Sequence, residues 1–85
     1  MSFEIIYAES VKKDIKKIPT EHQSAIKKSI EKLTEFPAIS NIKKLTAHPL
    51  CDYRLRNGEY RVLFDVDWNN KKIIILKIGH RKDIY

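Results

Sequence analysis

Cysteine is nearly absent: Cys51 stands alone among 85 residues, so no disulfide can form within the chain. A reducing compartment is the natural setting for such a sequence. Glycine occurs only twice and proline three times, and no low-complexity tract is present. Long apolar runs are missing too. The longest, "IIIL" at residues 73–76, falls far short of the roughly 20 residues that span a bilayer. The opening "MSFEIIYAES" has neither the basic start nor the apolar stretch of a secretory signal. Acidic residues are the scarcer charge, 11 against 17 Lys plus Arg, for a net charge of +6. These absences predict a cytoplasmic protein with no membrane association. The charge balance predicts a polyanion or an acidic protein as partner.

What is present suits one small domain over residues 1–85. The 42% apolar fraction is that of a globular chain, which argues against disorder despite 33% charged residues. Residues 3–8, "FEIIYA", read as a strand, aromatic and β-branched without a breaker. Val11, Ile15 and Ile18 recur at helical spacing, with Ser10 as N-cap and Pro19 as stop. A second helix opens with Thr20 and Gln23 in capping-box spacing. It carries Ile26, Ile30 and Leu33 on one face and closes at Pro37. Two short amphipathic helices joined at one proline predict an antiparallel helical hairpin. Residues 37–51 read mainly as loop, anchored by Ile42 and Leu45.

Three strands follow. Residues 52–56 put Tyr53 and Leu55 on one face and Arg54 and Arg56 on the other. "NGE" at 57–59 is a hairpin signal, and residues 60–67 align Tyr60, Val62, Phe64 and Val66. "WNN" turns the chain into "KKIIILKIG", whose continuous apolar run predicts a central strand buried on both faces. The sum is an α+β fold: an N-terminal strand, a two-helix hairpin, then a three-stranded antiparallel meander, with the helices on one sheet face.

The stretch "YRLRNGEYRVLF" places Arg54, Arg56 and Arg61 on a hairpin. A solvated face explains them if Glu59, Asp65 or Asp67 pairs with them across strands. Solvated sheet faces, however, usually mix Thr, Lys, Glu and Ser, whereas the arginine fork fits phosphate oxygens. "GHRKDIY" then adds His80, Arg81 and Lys82 just past a strand end. His80 has an ordinary pKa near neutrality and could move protons beside a phosphate. Tyr85 offers a ring for stacking on a base. Asp65 and Asp67 lack a third ligand of fitting type, so no metal and no cofactor are expected. Lys12, Lys13, Lys16, Lys17, Lys27, Lys28 and Lys32 read as solvated helix faces that also attract nucleic-acid phosphates.

"YRLRNGEYRVLF" and "KIGHRKDIY", with the two basic helices divided at "KKIP" and the "NIKKL" segment, resemble the RelE/ParE superfamily of type II toxin–antitoxin toxins, on the RelE side. The resemblance spans nearly the whole chain. It implies a RelE-like fold and a metal-independent, ribosome-dependent mRNA endoribonuclease that acts in the ribosomal A site. In that scheme the ribose 2′-hydroxyl attacks the adjacent phosphate and translation stops. It also implies a cognate acidic antitoxin, encoded beside the toxin, that masks the basic surface.

By the same resemblance Arg54, Arg61 and Arg81 bind and neutralise the scissile phosphate, and Tyr85 contacts the bound nucleotide. Arg56, Lys43, Lys44, Lys82 and His48 are candidates for RNA binding around them. Asp52 stands where the family carries a lysine, so His80 becomes the expected proton-transfer residue. Two other readings share the fold: a ParE-like toxin that inhibits DNA gyrase by binding, and a non-catalytic RNA- or partner-binding module.

Overall fold

The computed structural model describes residues 3–36, 38, 41–45 and 52–84. In order they form β1 (Glu4–Tyr7), α1 (Glu9–Lys16), α2 (Thr20–Glu31), a 3₁₀ turn (Lys32–Glu35), β2 (Ile42–Lys44), β3 (Tyr53–Asn57), β4 (Tyr60–Asp67), β5 (Lys72–His80) and α3 (Arg81–Ile84). The five strands make one sheet in the order β1-β5-β4-β3-β2. The expected α+β class and the antiparallel β3–β4–β5 meander are both present. The sheet is nevertheless mixed, because β1 runs parallel to β5.

β2 corrects the expectation of a loop over 37–51: Ile42, Lys43 and Lys44 pair with Leu55, Arg54 and Tyr53. Three residues are too few for alternation to show in a sequence. Two exposed lysines on so short an edge also discourage pairing with another chain. Pro37 and Cys51 lie outside the described residues.

Alternation in β3 and β4 turns Leu55, Val62 and Phe64 toward the helices. They pack there with Val11, Ile18, Ile26, Ile30 and Leu33 in one buried cluster. β5 reaches the same cluster through Ile73, Ile75 and Ile78. The change of spacing from two to three comes from a bulge: Leu63 pairs with Lys77 but Phe64 with Ile75, leaving Leu76 unpaired. β5 is interior to the sheet as expected, but only its helix-facing side is fully buried, since Ile74 and Leu76 are half-exposed. At the far end Phe36 meets Phe3, Phe64 and Tyr53 edge-on. The Trp68 ring leans on both Phe3 and Phe36.

β1 covers β5 only from Lys72 to Ile75. Past that point α1 lies along the open side of β5. The Ala8 N–H donates to the Ile75 carbonyl (3.0 Å), and the Ile78 N–H donates to Asp14 Oδ2 (3.2 Å). α1 packs chiefly on β5 and α2 on β3, so the two helices spread across the sheet more than they pair with each other.

Their caps differ from the sequence reading. Ala8 and Pro19 occupy the N-cap positions, without side-chain capping bonds. Ser10 sits inside the first turn of α1. Gln23 instead reaches back, and its Nε2 donates to the carbonyls of Ile15 (3.0 Å) and Ile18 (2.8 Å) at the end of α1. Asn57 ties the sheet to α2, its Nδ2 donating to the Ala25 carbonyl (3.2 Å) and to Ser29 Oγ.

Two ionisable groups are displaced by this packing. Burial, then the nearby Glu31 carboxylate, push the Tyr7 phenol above its ordinary value. Asn70 closes the β4–β5 turn on Asp67, donating from its side chain (2.9 Å) and backbone (3.1 Å). Those bonds hold the Asp67 carboxyl below the usual carboxylate range.

Gln23→Ala is expected to lower unfolding free energy by about 1–2 kcal/mol, because two carbonyls at the α1 terminus lose their donor; urea titration measures it. A raised tyrosine pKa contributes stability below the unfolded value of about 10 and loses it as pH rises through the folded one. Stability followed upward from pH 9 should therefore fall less steeply in Tyr7→Phe than in the parent chain.

Candidate functional site

The register of β3, β4 and β5 sorts the candidate residues onto two faces. In one row Arg56 pairs with Arg61 and Arg61 with Gly79. In the row farther from the turn Lys43 pairs with Arg54, Arg54 with Leu63, and Leu63 with Lys77. All of these positions lie on the face turned away from the helices. Arg54 and Arg61 are diagonal neighbours on it, a separation that long side chains bridge. The adjacent row, Asn57, Tyr60 and His80, belongs to the helix-covered face.

Among the described residues Arg61 is the buried charged side chain, with only 7% of its surface exposed. Its Nη1 donates to the carbonyls of Gly58 (2.7 Å) and Tyr60 (3.0 Å), while its Nε is enclosed and has no hydrogen-bond partner. Arg56, directly opposite, is exposed. Neither forms an ion pair among the described residues, so the cross-strand carboxylates that would make this an ordinary solvated face do not serve them. Like charges set directly opposite on a sheet destabilise it. The arrangement makes physical sense where an anion completes it, since guanidinium forks match phosphate oxygens.

Arg81 opens α3 and is held by the same turn that holds Arg61. Its N–H donates to the Glu59 carbonyl (2.8 Å) and its Nε to Glu59 Oε2 (2.8 Å). Residues 58–60 thus bind guanidiniums contributed by β4 and by α3. Gly58 makes this turn possible with φ of +56°, a conformation unfavourable for residues bearing a Cβ.

The same register separates His80 from the arginines of β3 and β4. Its ring stands edge-on against Tyr60 at 5.6 Å, and its Nε2 approaches Glu59 Oε2 at 3.9 Å. Grooves of about 350 and 340 Å³ flank it on the helix side, the second also lined by His22 and Asn57. Expected from sequence beside the phosphate, His80 is placed across the sheet from Arg61 because one strand residue inverts the side-chain direction.

Lys43 shares the arginine face at the β2 edge, Lys44 pairs with Tyr53, and Lys82 is exposed on α3. His48 and Tyr85 lie outside the described residues. Asp52 donates its N–H to Asp65 Oδ1 (2.7 Å). Asp65 and Asp67 are thereby engaged by neighbouring backbone, and no cluster of metal-ligating side chains occurs among the described residues. Glu59 is expected from sequence in the turn or as a cross-strand partner of the hairpin arginines; its carboxylate pairs with Arg81 instead, which nothing in the linear pattern shows.

Comparison with known proteins gives a consistent picture. A family model described as "ParE toxin of type II toxin-antitoxin system, parDE" matches residues 5–85. RelE1 of Methanocaldococcus jannaschii is 34% identical over 88 residues, covering 100% of this chain and 97% of that one. A chain of the RelB–RelE antitoxin–toxin complex from Methanococcus jannaschii superposes with a TM-score of 0.74 at 30% identity, covering 94% of each chain. A chain of the RelBE2 toxin–antitoxin complex from Mycobacterium tuberculosis reaches a TM-score of 0.83 at 22% identity, covering 95% of this chain and 100% of that one, and shows the shared fold.

If Arg61 serves ligand binding more than stability, an apolar residue of similar reach should replace it without loss, since a buried charge is a poor stabiliser. Arg61→Met is expected to unfold in urea within about 1 kcal/mol of the parent chain. A loss of several kcal/mol would mark the arginine as structural.

Proposed function

The chain belongs to the ParE toxin family of type II toxin–antitoxin systems, as a toxin of RelE type, and from that membership we propose that it is an mRNA endoribonuclease working on the ribosome. The observation that carries the proposal is the arginine face: Arg54, Arg56 and Arg61 on adjacent strands, with Arg81 bound to the same turn as Arg61. Cleavage by a ribose 2′-hydroxyl needs the attacking oxygen in line with the leaving group and compensation of the negative charge that develops on phosphorus-bound oxygens. A guanidinium fixed by backbone carbonyls before the substrate arrives, as that of Arg61 is, meets the second need with little reorganisation. Arg54, Arg61 and Arg81 are assigned to the scissile phosphate. Arg56, Lys43 and Lys82 are assigned to the flanking RNA, and Tyr85 to the exposed base.

His80 packs on Tyr60 on the helix-covered side of the sheet, across from Arg61, so it is left out of the contacts proposed for the phosphate. The partners proposed are the ribosomal A site with its message and an acidic antitoxin encoded nearby. The similar archaeal and mycobacterial toxins are seen in complexes with RelB-type antitoxins, and a net charge of +6 suits an acidic partner. No helix among the described residues is long and apolar enough to cross a membrane, in keeping with a proposed cytoplasmic site of action by one toxin domain over residues 1–85. The ParE description of the matching family supports a second reading, gyrase inhibition by binding.

Incubation with purified ribosomes and a translated message separates these readings. The expected result is cleavage only when the message is being translated, leaving 2′,3′-cyclic phosphate ends. Arg61→Ala should cut at least about 100-fold more slowly. His80→Ala should stay well inside the 100-fold or greater loss that removing a general base brings; a loss as deep as that of Arg61→Ala would return proton transfer to His80. An intact message together with blocked gyrase supercoiling would select the second reading.

A further inference from the structure

One turn residue engages Arg81 twice. Glu59 accepts the Arg81 N–H with its backbone carbonyl and the Arg81 Nε with its carboxylate, both at 2.8 Å. Glu59 sits between Gly58 and Tyr60, whose carbonyls hold Arg61. We propose that Glu59 is a positioning residue: it fixes Arg81 through Nε, so that the two terminal Nη groups are presented together to the phosphodiester. This rests on the reading of the arginine face as the phosphate site.

The chemistry of the guanidinium supports the assignment. Arginine donates through two edges, and occupying Nε with a carboxylate leaves the terminal edge as a planar fork. A long, exposed side chain otherwise samples many rotamers, and ordering it opposes ligand binding. A partner that orders it beforehand reduces that opposition. Among the described residues His80 also approaches the Glu59 carboxylate, and His22 and Tyr60 line the same groove. His80 Nδ1 accepts the Lys82 N–H at 3.1 Å, so a neutral ring carries its proton on Nε2, which approaches Glu59 Oε2 at 3.9 Å. The carboxylate is therefore flanked by donors from β5 and α3, both of which the strand-to-helix junction holds in place.

A simple surface ion pair is the competing account, because Glu59 and Arg81 are both more than half exposed and such pairs add little stability. A second is inhibition, with the carboxylate competing against phosphate for Arg81. A double-mutant cycle on the full chain distinguishes all three. Glu59→Gln, Arg81→Ala and the double variant are compared for ribosome-dependent cleavage (kcat and KM) and urea midpoint. The Arg81 Nε–H signal is followed by nitrogen-15 NMR in the parent chain and in Glu59→Gln.

Glu59→Gln should lower kcat about fivefold, the scale of one ordered surface pair. It should have almost no further effect once Arg81 is alanine, and should leave the urea midpoint unchanged. The Arg81 Nε–H signal should sharpen in the parent chain and broaden in Glu59→Gln. Equal losses in both backgrounds, or faster cleavage by Glu59→Gln, would overturn the proposal. If the parent chain does not cleave at all, the ribonuclease reading fails by itself. The NMR signal then decides the positioning role alone, and a signal indifferent to Glu59→Gln rejects it.

Discussion

A two-residue turn, Gly58–Glu59, sets the pairing of Asn57 with Tyr60, and with it the face that each arginine of the hairpin occupies. Side chains alternate with a period of two, so sliding β3 by one position against β4 would bury Arg54 and Arg56 and expel Leu55. The apolar cluster prevents that slip: Leu55, Val62 and Phe64 are all nearly inaccessible to solvent. Packing beneath the sheet and ligand chemistry above it are thus two results of one register. The glycine that permits the turn also places a carbonyl within reach of Arg61.

The sequence reading succeeded where the pattern is local and repeated. β3 and β4 alternate without interruption, so their inward and outward residues were legible from residue types alone, as was the turn between them. Elements that depend on neighbours were not. β2 is three residues long and gains its identity from pairing with β3. The direction of β1 relative to β5 follows from where the helices return the chain, which no residue of β1 encodes. Leu76 forms a bulge that breaks the period of β5, and in a run of isoleucines and leucine that break cannot be seen. Gln23 obeyed the capping-box spacing yet caps the other helix, since the Ile18–Pro19 bend brings the end of α1 within its reach.

The candidate site divides in the same way. Arg54, Arg56 and Arg61 were readable as a set because they share one hairpin. His80 and Arg81, consecutive in sequence, both approach the Glu59 carboxylate, His80 from the end of β5 and Arg81 from the start of α3. The Asp52 backbone, bound to Asp65, fastens the entrance of β3 to β4.

The way α1 lies against β5 has a thermodynamic consequence. From Lys72 to Ile75 the strand is flanked by backbone on both sides, through β1 and β4. Beyond Leu76 its outer side is secured by an aspartate side chain on a helix. The segment leading to Gly79, His80 and Arg81 can therefore detach from α1 while the rest of the ladder stays zipped. Amide protection should step down along this one strand, from the segment flanked by backbone on both sides to the segment paired through β4.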